Sequence, residues 1–256
     1  MIAGKTALPP FRHFGFGDVG STNDEALTLA AGGQAPPFWV TARRQLAGRG
    51  RQGAAWISNA GNLYASLLLA RDFGLAKAAQ LPLVAALSLH DALASMLAPG
   101  SRLAIKWPND LLLNNRKIAG ILAESKVLAD GRPVIVIGCG VNCAHHPQDT
   151  RHPASNLLDE GYFVSPEAVF AAFSSVMAGR LAEWNGGAGF AGIRAAWLQC
   201  ASGLGETITV RLPQATIKGV FAGLDAAGRL ILRQGASQQT ISAGELFFDA
   251  PAENAS

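Results

Sequence analysis

The hydrophobic pattern of this 256-residue chain changes period once, and that change limits the folds open to it. Up to about residue 203, short apolar runs alternate with stretches of helical spacing. Residues 38–42 (FWVTA) and 62–69 (NLYASLLL) read as buried strands, the second preceded by the turn residues Asn59 and Gly61. Residues 78–97 place Leu83, Leu87, Ala94 and Leu97 at helical spacing, and Pro99-Gly100 stops the helix. His90 falls on the same stripe as a helix residue at the core edge. Residues 103–107 predict a strand, and 111–113 and 117–123 predict a hairpin turning at Asn114-Asn115. Residues 134–137 are strongly β-branched, with a glycine turn expected from Gly138 onward. Ser165-Pro166-Glu167 opens a helix bearing Val169, Phe173, Val176 and Leu181, and Phe190, Ile193 and Trp197 mark another. Beyond residue 203 only period 2 remains. Ile208, Val210 and Leu212 alternate with Thr207, Thr209 and Arg211, and short strands recur at 216–221, 229–232, 240–242 and 246–248. Strands interleaved with helices predict an α/β or α+β domain with a mixed sheet over residues 1–203. The uninterrupted period 2 predicts a small all-β barrel over 204–256, with the helix at 190–197 as the bridge.

Composition excludes several classes. Hydrophobic residues make up 49% and charged residues only 15%, which is too apolar for a disordered chain and too poor in charge for a coiled coil. The net charge is +3, so any nucleic-acid role would need a local basic patch. Three cysteines (Cys139, Cys143 and Cys200) cannot build a disulfide framework and read as buried thiols in a reducing compartment. Cys139 and Cys143, followed by His145 and His146, do not have a standard zinc spacing, so no tightly bound structural metal is expected. The first dozen residues contain Lys5, prolines and Arg12 but no apolar stretch of a signal peptide. The apolar run 133–141 is far too short to span a bilayer. A cytoplasmic protein without membrane attachment is the expectation.

Four segments carry chemistry. Residues 42–56 (ARRQLAGRGRQGAAW) hold Arg43, Arg44, Arg49 and Arg51 without one acidic residue, interleaved with Gly48, Gly50 and Gly53. Glycines permit close backbone approach and arginines offer forks to phosphate or carboxylate oxygens, so the segment suits a loop closing over an anion; a solvated basic loop is the bland alternative. It also matches G-x-G-x-x-G, but residues 54–62 are too broken for the helix that a dinucleotide loop opens into. Residues 106–124 (KWPNDLLLNNRKIAGILAE) bring Lys106, Asp110 and Lys117 together around a strand and hairpin, with Gly120 on the returning arm. Each charge alone is more often a surface residue. Ser21-Thr22-Asn23 before Asp24 and Glu25 reads as a helix cap whose loose end can face a ligand. Gly138-Cys139-Gly140-Val141-Asn142 would let backbone or Asn142 approach a planar ligand.

In this order the segments resemble the biotin–protein ligases, also called biotin–[acetyl-CoA-carboxylase] ligases. The family patterns are S-T-N, then Q-x-x-G-R-G-R-x-G-x-x-W, then K-W-P-N-D with R-K-x-x-G-I-L-x-E, then G-x-G-x-N. The resemblance implies a class II synthetase-like catalytic domain of α+β type, its mixed sheet flanked by helices, and an SH3-like C-terminal barrel. It implies that biotin and ATP, with Mg²⁺, give biotinyl-5′-AMP, and that biotin then passes to a lysine of a biotin carboxyl carrier protein. Ser21, Thr22 and Gln45 correspond to biotin contacts, and Asn23 and Gly48 belong to the same ligand-binding set. Arg49, Gly50 and Arg51 match the loop that orders over biotin and the adenylate. Lys117 matches the cation near the biotin carboxylate and α-phosphate, Gly120 the close approach of its strand, and Trp56 and Asn142 adenine contacts. Asp110 and Lys106 match a motif tied to ATP or acceptor-lysine handling. Gln52 and Ala54 depart from the family, whose loop often carries more basic residues there. Some relatives also carry an N-terminal helix-turn-helix repressor domain; with S-T-N at residue 21, a ligase that binds no nucleic acid is expected, as monomer or homodimer. Lipoate–protein ligases and octanoyltransferases resemble the same fold, and a non-catalytic binding module is the reading from another class.

Overall fold

The computed structural model describes residues 11–148, 150 and 153–248. The N-terminal stretch read as lacking a signal peptide lies largely outside them. In chain order the elements are β1 (Arg12–Val19), α1 (Thr22–Ala31), β2 (Phe38–Gln45), β3 (Leu63–Ala70), α2 (Leu75–Ala78), α3 (Leu81–Ala94), β4 (Leu103–Lys106), β5 (Asp110–Leu113), β6 (Arg116–Val127) and β7 (Pro133–Val141). There follow α4 (Pro166–Trp184), α5 (Phe190–Gln199), β8 (Thr207–Arg211), β9 (Thr216–Leu224), β10 (Leu230–Gln234), β11 (Ser237–Ile241) and β12 (Glu245–Phe248). The first seven strands form one mixed sheet in the order β1-β2-β3-β7-β6-β5-β4, and β8 to β12 form an antiparallel sheet in the order β11-β10-β9-β8-β12. The fold is therefore α+β, with helices flanking the large sheet and a small β unit at the C-terminus. No helix among the described residues is long and apolar enough to cross a membrane.

Central strands read as unbroken apolar runs because both faces of the large sheet are covered. Alternate residues point to opposite faces. Phe38, Val40, Leu68, Val134 and Val136 pack under Ala26 and Ala30 of α1. Trp39, Leu67, Ile135 and Ile137 face the other way, into a core shared with α3, α4 and α5. That larger core continues without a break into Ile208, Val210, Phe221, Leu230 and Leu232 of the C-terminal sheet.

Local chemistry explains most boundaries. Asn114 and Asn115 adopt φ of 51° and 61°, the left-handed conformation that a two-residue hairpin turn requires and that asparagine tolerates. Ser165 caps α4, its hydroxyl accepting from the Ala168 N–H at 3.2 Å. Some expectations need correction. Gly138 does not begin a turn: β7 runs on through Gly138 and Gly140 to Val141. The helix expected over 78–97 starts only at Leu81 and is preceded by the separate short α2. Ser21 occupies the cap position of α1, but its side chain makes no capping hydrogen bond. The parallel edge strand β1 was not anticipated, because Gly15 and Gly17 weaken its pattern.

Candidate active site

A cavity of about 750 Å³ opens on the α1 face of the large sheet, beyond the N-terminal end of that helix. This is the size range of small-molecule sites. Its floor is backbone. On β6 and β7, Gly120 and Gly140 are direct cross-strand partners, and Gly138 follows the same face. A β-carbon on Gly138 would stand 2.4 Å from Asn23 Oδ1, and one on Gly140 would stand 2.4 Å from Trp56 Nε1. One on Gly120 would lie 3.0 Å from the Trp56 ring. Glycine within a strand is therefore a packing requirement here: it lets a flat group lie directly on the sheet. That is why β7 continues where a turn was expected.

The wall beside α1 is a continuous hydrogen-bond network. Gln45 Oε1 accepts from the Thr22 N–H at 2.9 Å and from the Thr22 hydroxyl at 3.0 Å. Gln45 Nε2 donates to Ser58 Oγ at 3.0 Å, and Ser58 Oγ donates to the Trp56 carbonyl at 2.8 Å. Ser66 Oγ donates to Thr22 Oγ1 at 2.7 Å and lies 2.6 Å from Asn23 Oδ1. Asn23 Nδ2 donates to Glu124 Oε2 at 2.7 Å. Ser21, Thr22 and Asn23 are all buried. Buried polar side chains fixed in this way hold one arrangement.

Residues 48–56 form the roof. The segment folds back on itself: the Trp56 N–H donates to the Gly48 carbonyl at 2.9 Å and the Gly50 N–H to the Ala54 carbonyl at 2.7 Å. No helix follows it, in agreement with setting the dinucleotide reading aside. Its arginines find partners elsewhere in the chain. Arg49 forks onto Asp24, with both contacts at 2.6 Å, and lies 3.6 Å from Glu124. Arg51 donates to Asn109 Oδ1 and to the Gly244 carbonyl, each at 3.2 Å. Burial lowers the Arg51 pKa, against the pull of Asp110 and Glu245. Arg43 and Arg44 both pair with Asp18 at 3.0 Å and do not line the cavity.

Lys117 stands on the far side, 2.7 Å from Asp110 Oδ1 and 5.4 Å from the centre of the Trp56 ring. Its backbone is clasped by a strap at 153–155: the Lys117 N–H donates to the Pro153 carbonyl at 2.8 Å, and the Ser155 N–H donates to the Lys117 carbonyl at 2.9 Å. Asn142 Nδ2 bonds the Ser155 carbonyl at 3.0 Å, so the same strap seats both residues.

Of the residues singled out from sequence, Ser21, Thr22, Asn23, Gln45, Arg49, Gly50, Arg51, Trp56, Asp110, Lys117, Gly120 and Asn142 line this cavity. Gly48 and Lys106 do not. Gly48 is pinched behind the roof, where a β-carbon would stand 2.5 Å from the Trp56 carbonyl oxygen. Lys106 is buried beside an adjoining smaller cavity that it shares with Asp110, Lys117, Phe247 and Phe248. The sequence reading missed Asn109 as a cavity residue and Ser66 as the anchor of the network, whereas Gly138 and Gly140, expected to bring backbone near a planar ligand, do line the cavity, as strand and not as turn. Asn109 lies inside K-W-P-N-D and was within reach; Ser66 sits in an apolar run that gave no sign. Cys139 and Cys143 are buried, and burial pushes the Cys143 thiol up to about 12. Asp110 and Glu245 are the carboxylates among the described cavity residues.

Comparison with known proteins gives a consistent picture. The family model described as Biotin/lipoate A/B protein ligase family matches residues 19–142, and the one described as Biotin protein ligase C terminal domain matches 203–249. The chain is 46% identical over 237 residues to the biotin–[acetyl-CoA-carboxylase] ligase of Paracoccus denitrificans, covering 89% of this chain and 97% of that one. It is 31% identical to the bifunctional ligase/repressor BirA of Bacillus subtilis, covering 86% of this chain and 69% of that one. Among solved structures, the Aquifex aeolicus biotin protein ligase in complex with biotin and ATP superposes with a TM-score of 0.76 at 25% identity, covering 92% of this chain and 97% of that one. The Leishmania major enzyme in complex with biotinyl-5-AMP gives a TM-score of 0.65 at 25% identity, covering 92% of this chain and all of that one (100%).

Proposed function

Because the chain belongs to the biotin–protein ligase family, we infer that the cavity under the 48–56 roof is where biotin and ATP react. The protein is a biotin–[acetyl-CoA-carboxylase] ligase, an ATP-dependent, AMP-forming enzyme. The observation that carries the assignment to this cavity is convergence: Gln45 and Arg49 to Trp56, Asp110 with Lys117, and Gly120 with Gly140 come from separate elements onto one glycine floor.

In the first step a biotin carboxylate oxygen bonds to the α-phosphorus and the bond to the β-phosphate oxygen breaks, giving biotinyl-5′-AMP and pyrophosphate. Such a transfer needs alignment and charge neutralisation more than a covalent nucleophile on the protein. Arg51 and Lys117, gathered on the side of the cavity that holds Asn109 and Asp110, offset the developing negative charge, and Mg²⁺ adds to this when it enters with ATP. The network from Ser66 through Thr22 to Gln45 presents fixed donors and acceptors to the biotin head group. Trp56 and Asn142 flank the nucleotide. In the second step the ε-amine of the carrier lysine attacks the acyl carbon, AMP leaves, and the amine gives up a proton; we assign its acceptance to Asp110, the cavity carboxylate paired with Lys117. The roof keeps water from the mixed anhydride.

The direct test is to incubate the protein with biotin, ATP, Mg²⁺ and a biotin carboxyl carrier domain and to measure the carrier's mass. One biotinyl group should be gained, only with biotin and ATP together. No gain, or gain with lipoate instead, would overturn the assignment. Lys117→Ala should slow single-turnover adenylate formation at least tenfold, or about 1.4 kcal/mol. An unchanged rate would remove Lys117 from the mechanism.

A further inference from the structure

Asp24 takes no part in the chemistry above and does not line the cavity. Yet it makes the shortest polar contacts of the roof. Arg49 Nη1 and Nη2 each lie 2.6 Å from one of its carboxylate oxygens, a fork-to-fork pair that fixes orientation as well as distance. Arg51's two bonds are longer, at 3.2 Å. Asp24 is held in turn by the first turn of α1, where the positive end of the helix favours an acid. The notch has a built back. Glu124 Oε2, 3.6 Å from Arg49, accepts from Asn23 Nδ2 at 2.7 Å, and Asn23 Oδ1 is met by Ser66 of β3 at 2.6 Å. Arg49 is therefore seated in an acidic notch whose walls run into the central sheet.

We propose that Asp24 is a positioning residue that seats Arg49, and through it holds the roof hairpin shut over the bound adenylate. It thereby controls how slowly the reactive intermediate escapes. This rests on the ligase reading for its consequence, though not for the seat itself. The charge is local and partly exposed, so the effect is a change in rate and not a loss of fold.

Two measurements test it, on the full chain. The first is limited trypsin digestion of the ligand-free protein, following cleavage after Arg51, whose own partners the substitution leaves in place. Asp24→Ala and the near-isosteric Asp24→Asn should be cut about threefold to tenfold faster than the wild type, with Asp24→Glu in between. The second is the release of preformed biotinyl-5′-AMP. It should quicken by a similar factor in Asp24→Asn, while single-turnover adenylate formation changes much less. A general structural defect would instead lower both activities and the melting temperature together. Wild-type rates of cleavage and of release in Asp24→Asn would overturn the proposal. A wild-type protein that forms no adenylate would sink the ligase reading, and the trypsin comparison would still decide the seat of Arg49.

Discussion

Lys106 shows what a single residue's surroundings do to its chemistry. It ends β4, is only 5% exposed, and lies 5.8 Å from the ring centres of both Phe247 and Phe248. Burial lowers its pKa from 10.5 to about 8, although Asp110 and Glu245 pull the other way. An unfolded lysine keeps its proton up to about 10.5, so between pH 8 and 10.5 the unfolded chain binds more protons than the folded one. Stability from this group therefore rises with pH across that window, and below pH 8 the fold carries the full cost of a buried cation. Lys106→Met should be the more stable protein at pH 7, and its advantage in urea unfolding should shrink steadily toward pH 10. A constant gap would mean that Lys106 titrates like an exposed lysine. The residue type and motif were legible in the sequence. Its neighbours were not, because the aromatic residues that bury it come from the other end of the chain.

At the scale of elements, β7 is the instructive case. The β-branched run 134–137 marked a strand, but two glycines ordinarily suggest that a strand is ending. They are kept inside the strand because Asn23 and Trp56 press on its face, and neither contact is visible locally. Gly140→Ala should force the indole off the floor. ATP binding measured by calorimetry should weaken at least tenfold, with a loss of about 1–3 kcal/mol in urea unfolding from overpacking. Binding at wild-type affinity would show that the floor is not where the ligand packs. The hairpin at Asn114-Asn115 was legible for the opposite reason: its geometry is set by two adjacent residues and nothing distant.

Across the whole molecule, the change of period near residue 203 separates two sheets in topology, yet a single core joins them. Phe221, Leu230 and Leu232 belong to the same packed cluster as Leu83 and Phe190. The Trp107 indole N–H also reaches the Gly228 carbonyl at 3.4 Å, and a β-carbon on Gly228 would stand 2.4 Å from Leu83 Cδ1. We propose that the division into 1–203 and 204–256 is one of architecture and not of stability. Urea unfolding followed by near-UV and far-UV circular dichroism should give one coincident transition. Two resolved transitions would show that the C-terminal sheet is held independently. Arg51 adds a polar link of the same kind, since it ties the roof to Asn109 in the turn between β4 and β5 and to Gly244 beside the C-terminal sheet.

The sequence by itself determined the class of fold, the place where helices give way to strands alone, and the motifs that carry the chemistry. Those properties are written in residue type, period and short spacing, which act over a few positions. Only the tertiary structure decided that Gly138 and Gly140 are a floor, that Arg49 is seated on Asp24, and that Lys106 stands outside the main cavity. Each of these depends on side chains brought together from distant segments, where packing and burial, and not local preference, set the outcome.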